Sequence, residues 1–473
     1  VSTLTAVLKD GRTVEYLPDP IGEGGMKRAY FTADRRSVLL FFKDRNAAKD
    51  PNRMARLEAI VGKFNPTTHP TTGKYFSELF CWLTGIVVQP ELGVMTPAYP
   101  DNFFFATGNW QGKEKEGKWF SSPKLRRLLP PAERGTWLNY LQVCILIARA
   151  VRKMHLTGLA HSDLSCKNIL IDPLSGRCAV IDVDSLVVPG VFPPDVLGTP
   201  GYFAPEVLAT LHLPLDDPGR KLPSNLTDLH ALAVLVYEYL LRRHPLRGPK
   251  VNAPNAEDDE RLSMGEKALF IEHPHDTSNR PKSGLKVACD QMGPYLPKLM
   301  VKAFVDGLHN PSARPTANEW ERALYRSSDL LIPCGNKDCE EKWLLYNEGR
   351  PPKCPWCGWQ LREPTPVLDF HYAARTGQYR AEQHCLVAWN GRRLHRWHVF
   401  RGEDPVEGVD QEVLAYVSFY QGRWILINKA LDGMISPSGN PVPRGQACAL
   451  KEGDQICLSK GDHGRLVCVR MIP

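Results

Sequence analysis

The residues best suited to chemistry fall in one order along the chain. IGEGGMKRAY, residues 21–30, supplies Gly22, Gly24 and Gly25, whose missing side chains let backbone N–H groups approach phosphate oxygens. SVLLFFK ends in Lys43 at the close of an apolar run, where an ammonium could reach phosphates and be held by Glu58 in the amphipathic stretch that follows. HSDLSCKNIL then carries Asp163 and Asn168, and IDVD carries Asp182 after the apolar CAVI. A loop over phosphates, a cation on them, carboxylate and amide groups for a metal and a base for the nucleophile are what moving a γ-phosphoryl group requires. Taken singly, a strand-end lysine is usually solvated and an Asp after a strand usually forms a turn. Their occurrence in this order argues against coincidence.

A second constellation is made of sulfur. Cys334 and Cys339, then Cys354 and Cys357 in CPWC followed by Gly358, form two short-spaced pairs that could surround one ion. Zn²⁺ takes four thiolates in a tetrahedron, and two turns presenting two sulfurs each supply them with little loop entropy, a redox dithiol in CPWC being the rival reading. Lysines and arginines near these cysteines alternate with Asp338, Glu340, Glu341 and Glu348, and such mixed charge argues against a surface that tracks nucleic-acid phosphates. Trp343, Trp356 and Trp359 read as the core of a small ribbon.

Elements must hold these groups in place. Up to about Asp101, glycine clusters and short apolar runs bounded by charged turns predict a strand-rich lobe. One helix interrupts it at PNRMARLEAIVGKF, where Met54, Leu57, Ile60 and Val61 recur at helical spacing. From about Trp137, TWLNYLQVCILIARAVRKMH and DLHALAVLVYEYLL predict long apolar helices. After EPTP the chain alternates, and Asn390-Gly391 and Gln421-Gly422 between alternating runs predict two hairpins.

Composition sets the outer bounds. At 473 residues, the length suits about three domains. Lys and Arg exceed Asp and Glu by 59 to 52 and are scattered, which disfavours a nucleic-acid stripe. The first residues lack a signal-peptide layout and the longest apolar stretch is too short for a bilayer, so a soluble, cytoplasmic protein with no membrane partner is expected. Thirteen cysteines in varied contexts do not form the framework of a small disulfide-rich domain.

The ordered motifs resemble the catalytic core of a eukaryotic-like (Hanks-type) protein kinase over roughly Asp10 to Ser327. The resemblance implies a bilobal α+β fold using ATP with Mg²⁺ or Mn²⁺. In it, Lys43 pairs the α/β-phosphates and is held by Glu58, Asp163 is the base, and Asn168 and Asp182 hold the metal. Gly22, Gly24, Gly25 and Lys27 would line the phosphates, and Met95 to Tyr99 would form the adenine-contacting hinge, with Met95 and Thr96 as contacts. In GTPGYFAPEV, Ala204-Pro205-Glu206 matches the motif that closes the activation segment and Thr199 the threonine of the substrate platform. Asp228 would anchor the catalytic-loop backbone and Arg314 pair with Glu206. Small-molecule and lipid kinases generally lack this platform, so a protein substrate is implied.

Several positions depart from the family pattern. Lys27 replaces the third glycine, where it would touch phosphate or face solvent, and Phe41, two before Lys43, could crowd adenine. Ser162 leaves no cation before Asp163 to receive an activation-loop phosphate. Lys167 stands four after Asp163, as often in tyrosine kinases, yet the platform is serine/threonine-like, and Thr199 and Ser185 are the candidate autophosphorylation hydroxyls. Asp184 replaces the glycine of the usual triplet, which stiffens the turn or adds a solvated carboxylate.

The stretch SELFCWLTGIVVQPELGVMTPAYPD resembles a bacterial subgroup encoded beside von Willebrand A proteins and PP2C-type phosphatases in stress and tellurite-resistance clusters, which implies those partners. The last hundred residues resemble a forkhead-associated (FHA) β-sandwich through VFRGE, YVSFYQGRWILINKALDGM and GQACALKEGDQICLS. QEVLAY lacks the serine and histidine of the phosphothreonine grip, so Arg401 alone is carried over, and docking without phosphate reading is the rival role. The expected organisation is a kinase-like domain at 1–327 (N-lobe about 1–100, C-lobe about 101–327), a zinc ribbon at 328–364 and an FHA-like β-sandwich at 365–473. The expected function is a serine/threonine protein kinase of bacterial stress signalling. Its alternative is an ATP-binding pseudokinase scaffold that docks partners through the ribbon and the FHA-like domain.

Overall fold

The computed structural model describes residues 2–44, 50–188, 191, 198–214, 217–375, 378–405, 412–460 and 463–473. The chain divides into two compact units, 1–285 with 298–322 and 286–297 with 323–473. The cysteine segment and the terminal β region thus share one unit, which also takes in 286–297.

In the first unit, seven strands form one antiparallel sheet: β1 (Leu4–Leu8), β2 (Thr13–Tyr16), β3 (Gly22–Glu23), β4 (Lys27–Phe31), β5 (Ser37–Phe42), β6 (Gly85–Gln89) and β7 (Gly93–Pro97). Their order is β2-β1-β6-β7-β5-β4-β3. Helix α1 (Pro51–Val61) falls where the apolar spacing predicts it. Asp50 caps it by accepting the Asn52 backbone N–H at 2.9 Å, Pro51 opens it, and Leu57 and Ile60 are buried. A short helix, α2 (Gly73–Leu79), precedes β6.

The rest of this unit is mainly helical. Helix Trp137–Leu156 buries Tyr140, Leu141, Cys144, Ile147, Ala148 and Val151, the recurrence of a helix with one face in a core. Helix Asn225–Leu241 is buried on nearly every side, which accounts for its almost uninterrupted apolar sequence. Strands β8 (Ile169–Asp172) and β9 (Arg177–Val180) form a hairpin with Ile169 opposite Val180. Because β8 starts directly after Asn168 and β9 ends two residues before Asp182, the hairpin brings those two together, and Ile181 N–H donates to the Asn168 carbonyl at 3.0 Å.

In the second unit, β10 (Leu331–Pro333) pairs with β11 (Trp343–Leu345) beside the cysteines. Of the later strands, β12 (Thr365–Arg375), β13 (Gln378–Val387), β18 (Gln455–Cys457) and β19 (Arg465–Ile472) form one sheet. Strands β14 (Arg393–Leu394), β15 (Ala415–Tyr420), β16 (Arg423–Asn428) and β17 (Ala447–Ala449) form the other. Both sheets contribute to one apolar core, including Leu368, Phe370, Leu386, Val417, Leu426 and Val467.

Gln421-Gly422 turns β15 into β16 with φ of 48° and 74°, the two left-handed residues that a tight hairpin turn needs. Asn390-Gly391 makes no hairpin. It connects β13 of one sheet to β14 of the other, and the alternating run that follows it contains the helical turn Arg396–Val399. The reason is local: His398 Nδ1 accepts the His395 N–H at 2.9 Å and starts a helix that alternation alone does not reveal. His398 also contributes to a buried polar centre, where Asp329 accepts from His384 Nε2 at 2.8 Å, from His398 Nε2 at 3.0 Å and from Arg392.

Candidate functional site

The catalytic-loop groups sit between the helix Trp137–Leu156 and β8. Asp228, buried in the central helix, accepts the His161 backbone N–H at 2.8 Å and His155 Nε2 at 3.1 Å, which fixes the loop's start. His161 Nε2 lies 3.1 Å from the Ile181 carbonyl and ties the loop to the residue before Asp182. Asn168 Nδ2 donates to the Asp163 carbonyl at 2.8 Å and to its Oδ2 at 3.0 Å. Asp163 Oδ1 is buried and has no partner among the described residues, so it is the oxygen with capacity to accept a proton. Lys167 is exposed on the same loop.

Asp182 takes the left-handed conformation at φ 60°, ψ 38°, and so does Ser162 at φ 64°. Ser162 Oγ donates to the Ser185 carbonyl at 3.1 Å, a neutral link where the family pattern has a cation. Ser185 is itself buried and its hydroxyl donates to the Asp182 carbonyl at 2.9 Å, so it is held inward and not presented as an acceptor site. Thr199 is half-buried and lines a recess together with Asp163, Tyr202 and Asp228. Arg314 grips Glu206 through two nitrogens at 2.8 and 2.7 Å, the fork expected at the end of this segment. Residues 189, 190 and 192–197 of the segment lie outside the described ones.

The lysine facing Asp182 is Lys27. Its Nζ stands 2.7 Å from Asp182 Oδ1 and 2.7 and 2.8 Å from the two oxygens of Asp184. Lys43 instead pairs with Glu23 at 2.7 Å, both near the surface, and Glu58 pairs with Lys9. The expected Lys43–Glu58 pair is therefore absent. Strand parity gives the reason. Lys27 and Phe42 are directly opposite in the β4–β5 ladder, as are Ala29 and Leu40, so these four side chains share the face turned toward Asp182. Lys43 follows Phe42 and falls on the other side.

The same parity corrects two further expectations. Phe41 points away from this face and packs its ring 5.5 Å from Tyr16 and 5.6 Å from Tyr30. It therefore crowds nothing in the cleft, where Leu40 and Phe42 are the apolar neighbours. Met95 lies with Phe41 and Leu39 in that same lobe core and is paired within the sheet, so its side chain is not a cleft contact. Thr96, one residue on, is on the cleft face. Tyr99, which the sequence reading includes only as the end of the hinge, packs against the cluster of Leu170, Ile181 and Cys81 at the base of the cleft.

Charge in this cleft is tightly balanced. Burial disfavours the Lys27 ammonium, but Asp184 and Asp182 outweigh it and hold the proton well above the usual lysine value. Burial raises the Asp184 carboxyl, whereas Lys27 beside Asp182 keeps that carboxyl low. Asp184 is 6% exposed, not the solvated turn residue that its position suggests. At the glycine turn, Gly22 and Gly25 have open space where a Cβ would stand, which leaves the backbone accessible to a phosphate chain. Carboxylate and amide oxygens from Asp163, Asn168, Asp182 and Asp184 are the hard donors that suit Mg²⁺.

The sulfur cluster also assembles. The Sγ atoms of Cys334, Cys339, Cys354 and Cys357 all lie within 4.8 Å of one another, with Cys334–Cys357 at 3.6 Å and Cys339–Cys354 at 3.9 Å. A tetrahedral Zn²⁺ with bonds of about 2.3 Å places its sulfurs at about 3.8 Å, so the four thiols fit that ion. Trp359 packs on Gly335, where a Cβ would meet its ring at 2.7 Å, which makes this tryptophan part of the turn's packing. Arg401 is exposed and lays its guanidinium 3.7 Å over the Tyr372 ring. Of QEVLAY, Gln411 lies outside the described residues.

Comparison with known proteins agrees with this geometry. Residues 138–325 match the family model of the protein kinase domain. The match supports a protein-kinase-like segment at those residues. It begins at residue 138, after the strand-rich lobe that carries Lys27 and Lys43. No curated protein matches the chain. Among the described residues, no helix is long and apolar enough to cross a membrane.

Proposed function

We propose that this protein is a serine/threonine protein kinase in which Lys27, not Lys43, supplies the phosphate-facing cation. The observation that carries the reading is the convergence of Lys27 on Asp182, next to the Asp163–Asn168 pair. In the reaction, the substrate hydroxyl oxygen bonds to the γ-phosphorus, its proton passes to Asp163, and the bond to the β-γ bridging oxygen breaks to release ADP. Mg²⁺ held by Asp182 and Asn168 would neutralise charge on the phosphates. Gly22, Gly24 and Gly25 cover the phosphate chain, and Thr96, Leu40 and Tyr99 surround the base. The hydroxyl preference rests on the Thr199 platform, and Thr199 is the favoured autophosphorylation site.

In the second unit, the four cysteines hold Zn²⁺ and the two sheets form an FHA-like sandwich that docks protein partners. Arg401, already stacked on Tyr372, supports docking without phosphate reading over a phosphothreonine grip. A bacterial stress-signalling role, with von Willebrand A and PP2C-type partners, rests on the resemblance of the hinge region alone.

The test is autophosphorylation of the purified protein with Mg²⁺-ATP, read by intact mass and site mapping beside Asp163→Ala. Phosphate on Thr199 that disappears in the variant supports the reading. Nucleotide binding without any phosphate transfer, to itself or to added proteins, favours the pseudokinase scaffold.

A further inference from the structure

The cation of a phosphoryl-transfer cleft needs a second carboxylate. Asp182 has to be shared with a metal ion, and a lysine whose only counter-ion is drawn to that metal is left buried and unpaired, an expensive state. The resemblance assigns this task to Glu58 on α1, but Glu58 is engaged with Lys9. The group actually placed on Lys27 is Asp184, which offers both oxygens at 2.7 and 2.8 Å. The two carboxylates differ in access: the Asp182 side chain is 36% exposed and that of Asp184 is 7%. Phosphate or metal arriving from the open side of the cleft meets Asp182 first and leaves the inner contact undisturbed.

We propose that Asp184 is the positioning residue for Lys27, holding the ammonium over the cleft from within while Lys27 exchanges its contact with Asp182 for nucleotide phosphate. An ammonium has three donors, and the two oxygens of one carboxylate stand too close together to take two of them straight on, so one N–H bridges both oxygens of Asp184 while another meets Asp182, and that outer donor can turn to phosphate without losing the anchor. The charges also suit the exchange. One lysine against two aspartates leaves a net negative charge, which favours entry of a divalent ion together with the nucleotide. The inference rests on the kinase reading above.

The test is a double-mutant cycle on nucleotide binding, made on the full chain. Calorimetric titration with Mg²⁺ and an ATP analogue that cannot transfer its γ-phosphate reads affinity without turnover. Lys27→Met and Asp184→Asn should each weaken binding about tenfold, and the double variant should be no weaker than either, because both remove one unit. Asp184→Glu restores the charge on a longer arm and should recover part of the affinity. Thermal unfolding of each variant identifies any that fail to fold, and Asp184→Glu then carries the comparison. Additive losses, or unchanged or tighter binding by folded Asp184→Asn, would overturn the positioning role alone. A wild-type chain that binds no nucleotide would overturn the kinase reading and this inference with it.

Discussion

Lys27 Nζ meets Asp182 Oδ1 at 2.7 Å across 155 positions of sequence. This contact ties β4 to the residues that follow the β8–β9 hairpin and identifies which side of the β4–β5 hairpin lines the cleft. It also separates two lysines that composition cannot distinguish. Lys27→Met should reduce autophosphorylation by about 100-fold or more, the scale of losing a donor aimed at developing charge. Lys43→Met should stay within about threefold, since that side chain pairs with Glu23 near the surface. Initial rates of phosphate incorporation check both, and a large loss in Lys43→Met with little in Lys27→Met would return the role to Lys43.

The clasp between Arg314 and Glu206 is a stability element. Arg314 is 3% exposed and also donates to the carbonyls of Gly307, Leu226 and Leu308. Arg314→Ala should cost about 3–5 kcal/mol, the range for breaking a buried pair by removing one partner. Denaturant titration of the first unit's signal measures it, and a loss under about 1 kcal/mol would show that the network re-forms without the guanidinium.

A pH dependence follows from Glu238. Its carboxyl is buried in the central helix, accepts the Tyr202 hydroxyl, and is pushed up to about 7 by that burial, against an ordinary value of 4.5. The folded state keeps this proton up to about pH 7, while the unfolded chain releases it near 4.5. Stability from this group is therefore full below about pH 4.5 and is lost as pH rises to 7, by an amount on the order of 3 kcal/mol. Glu238→Gln removes that slope and should be the more stable form at pH 8. Unfolding free energies at pH 5, 6, 7 and 8 for both proteins test this, and parallel curves would refute it.

For the cysteine cluster, elemental analysis of the native protein should find one Zn²⁺ per chain. Cys339→Ser removes a buried ligand and should both abolish stoichiometric zinc and lower the second unit's unfolding temperature by about 10 °C. Retention of full thermal stability after complete metal removal by a chelator would deny the site a structural role.

Much of the site was legible because its motifs are short and local. Asn168 and Asp182 are brought together by a hairpin that starts and ends beside them, and Asp163 is only five residues before Asn168, so sequence order already encodes proximity. The long helices were legible because apolar residues recur with helical period. What sequence order does not carry is the face of a strand. Lys27 and Lys43 differ by one step of parity relative to Phe42, and that step depends on the register of β4 against β5. Asp184 reads in the sequence as a turn residue because its partner lies 157 positions away. Asn390-Gly391 looked like a hairpin because its dipeptide is right, but pairing is decided by which sheet each flanking strand joins.

The excursion of residues 286–297 into the second unit, before the chain returns to the first for 298–322, has a consequence for inheritance and biosynthesis. The second unit is not a contiguous cassette. A recombination event or an engineered fusion that transplants 323–473 alone leaves behind a piece of its fold, and a nascent chain that has emerged through residue 322 already carries an element whose partners have yet to be synthesised. The second unit therefore cannot be acquired or exchanged as one contiguous segment, and its chain is completed only after that of the first.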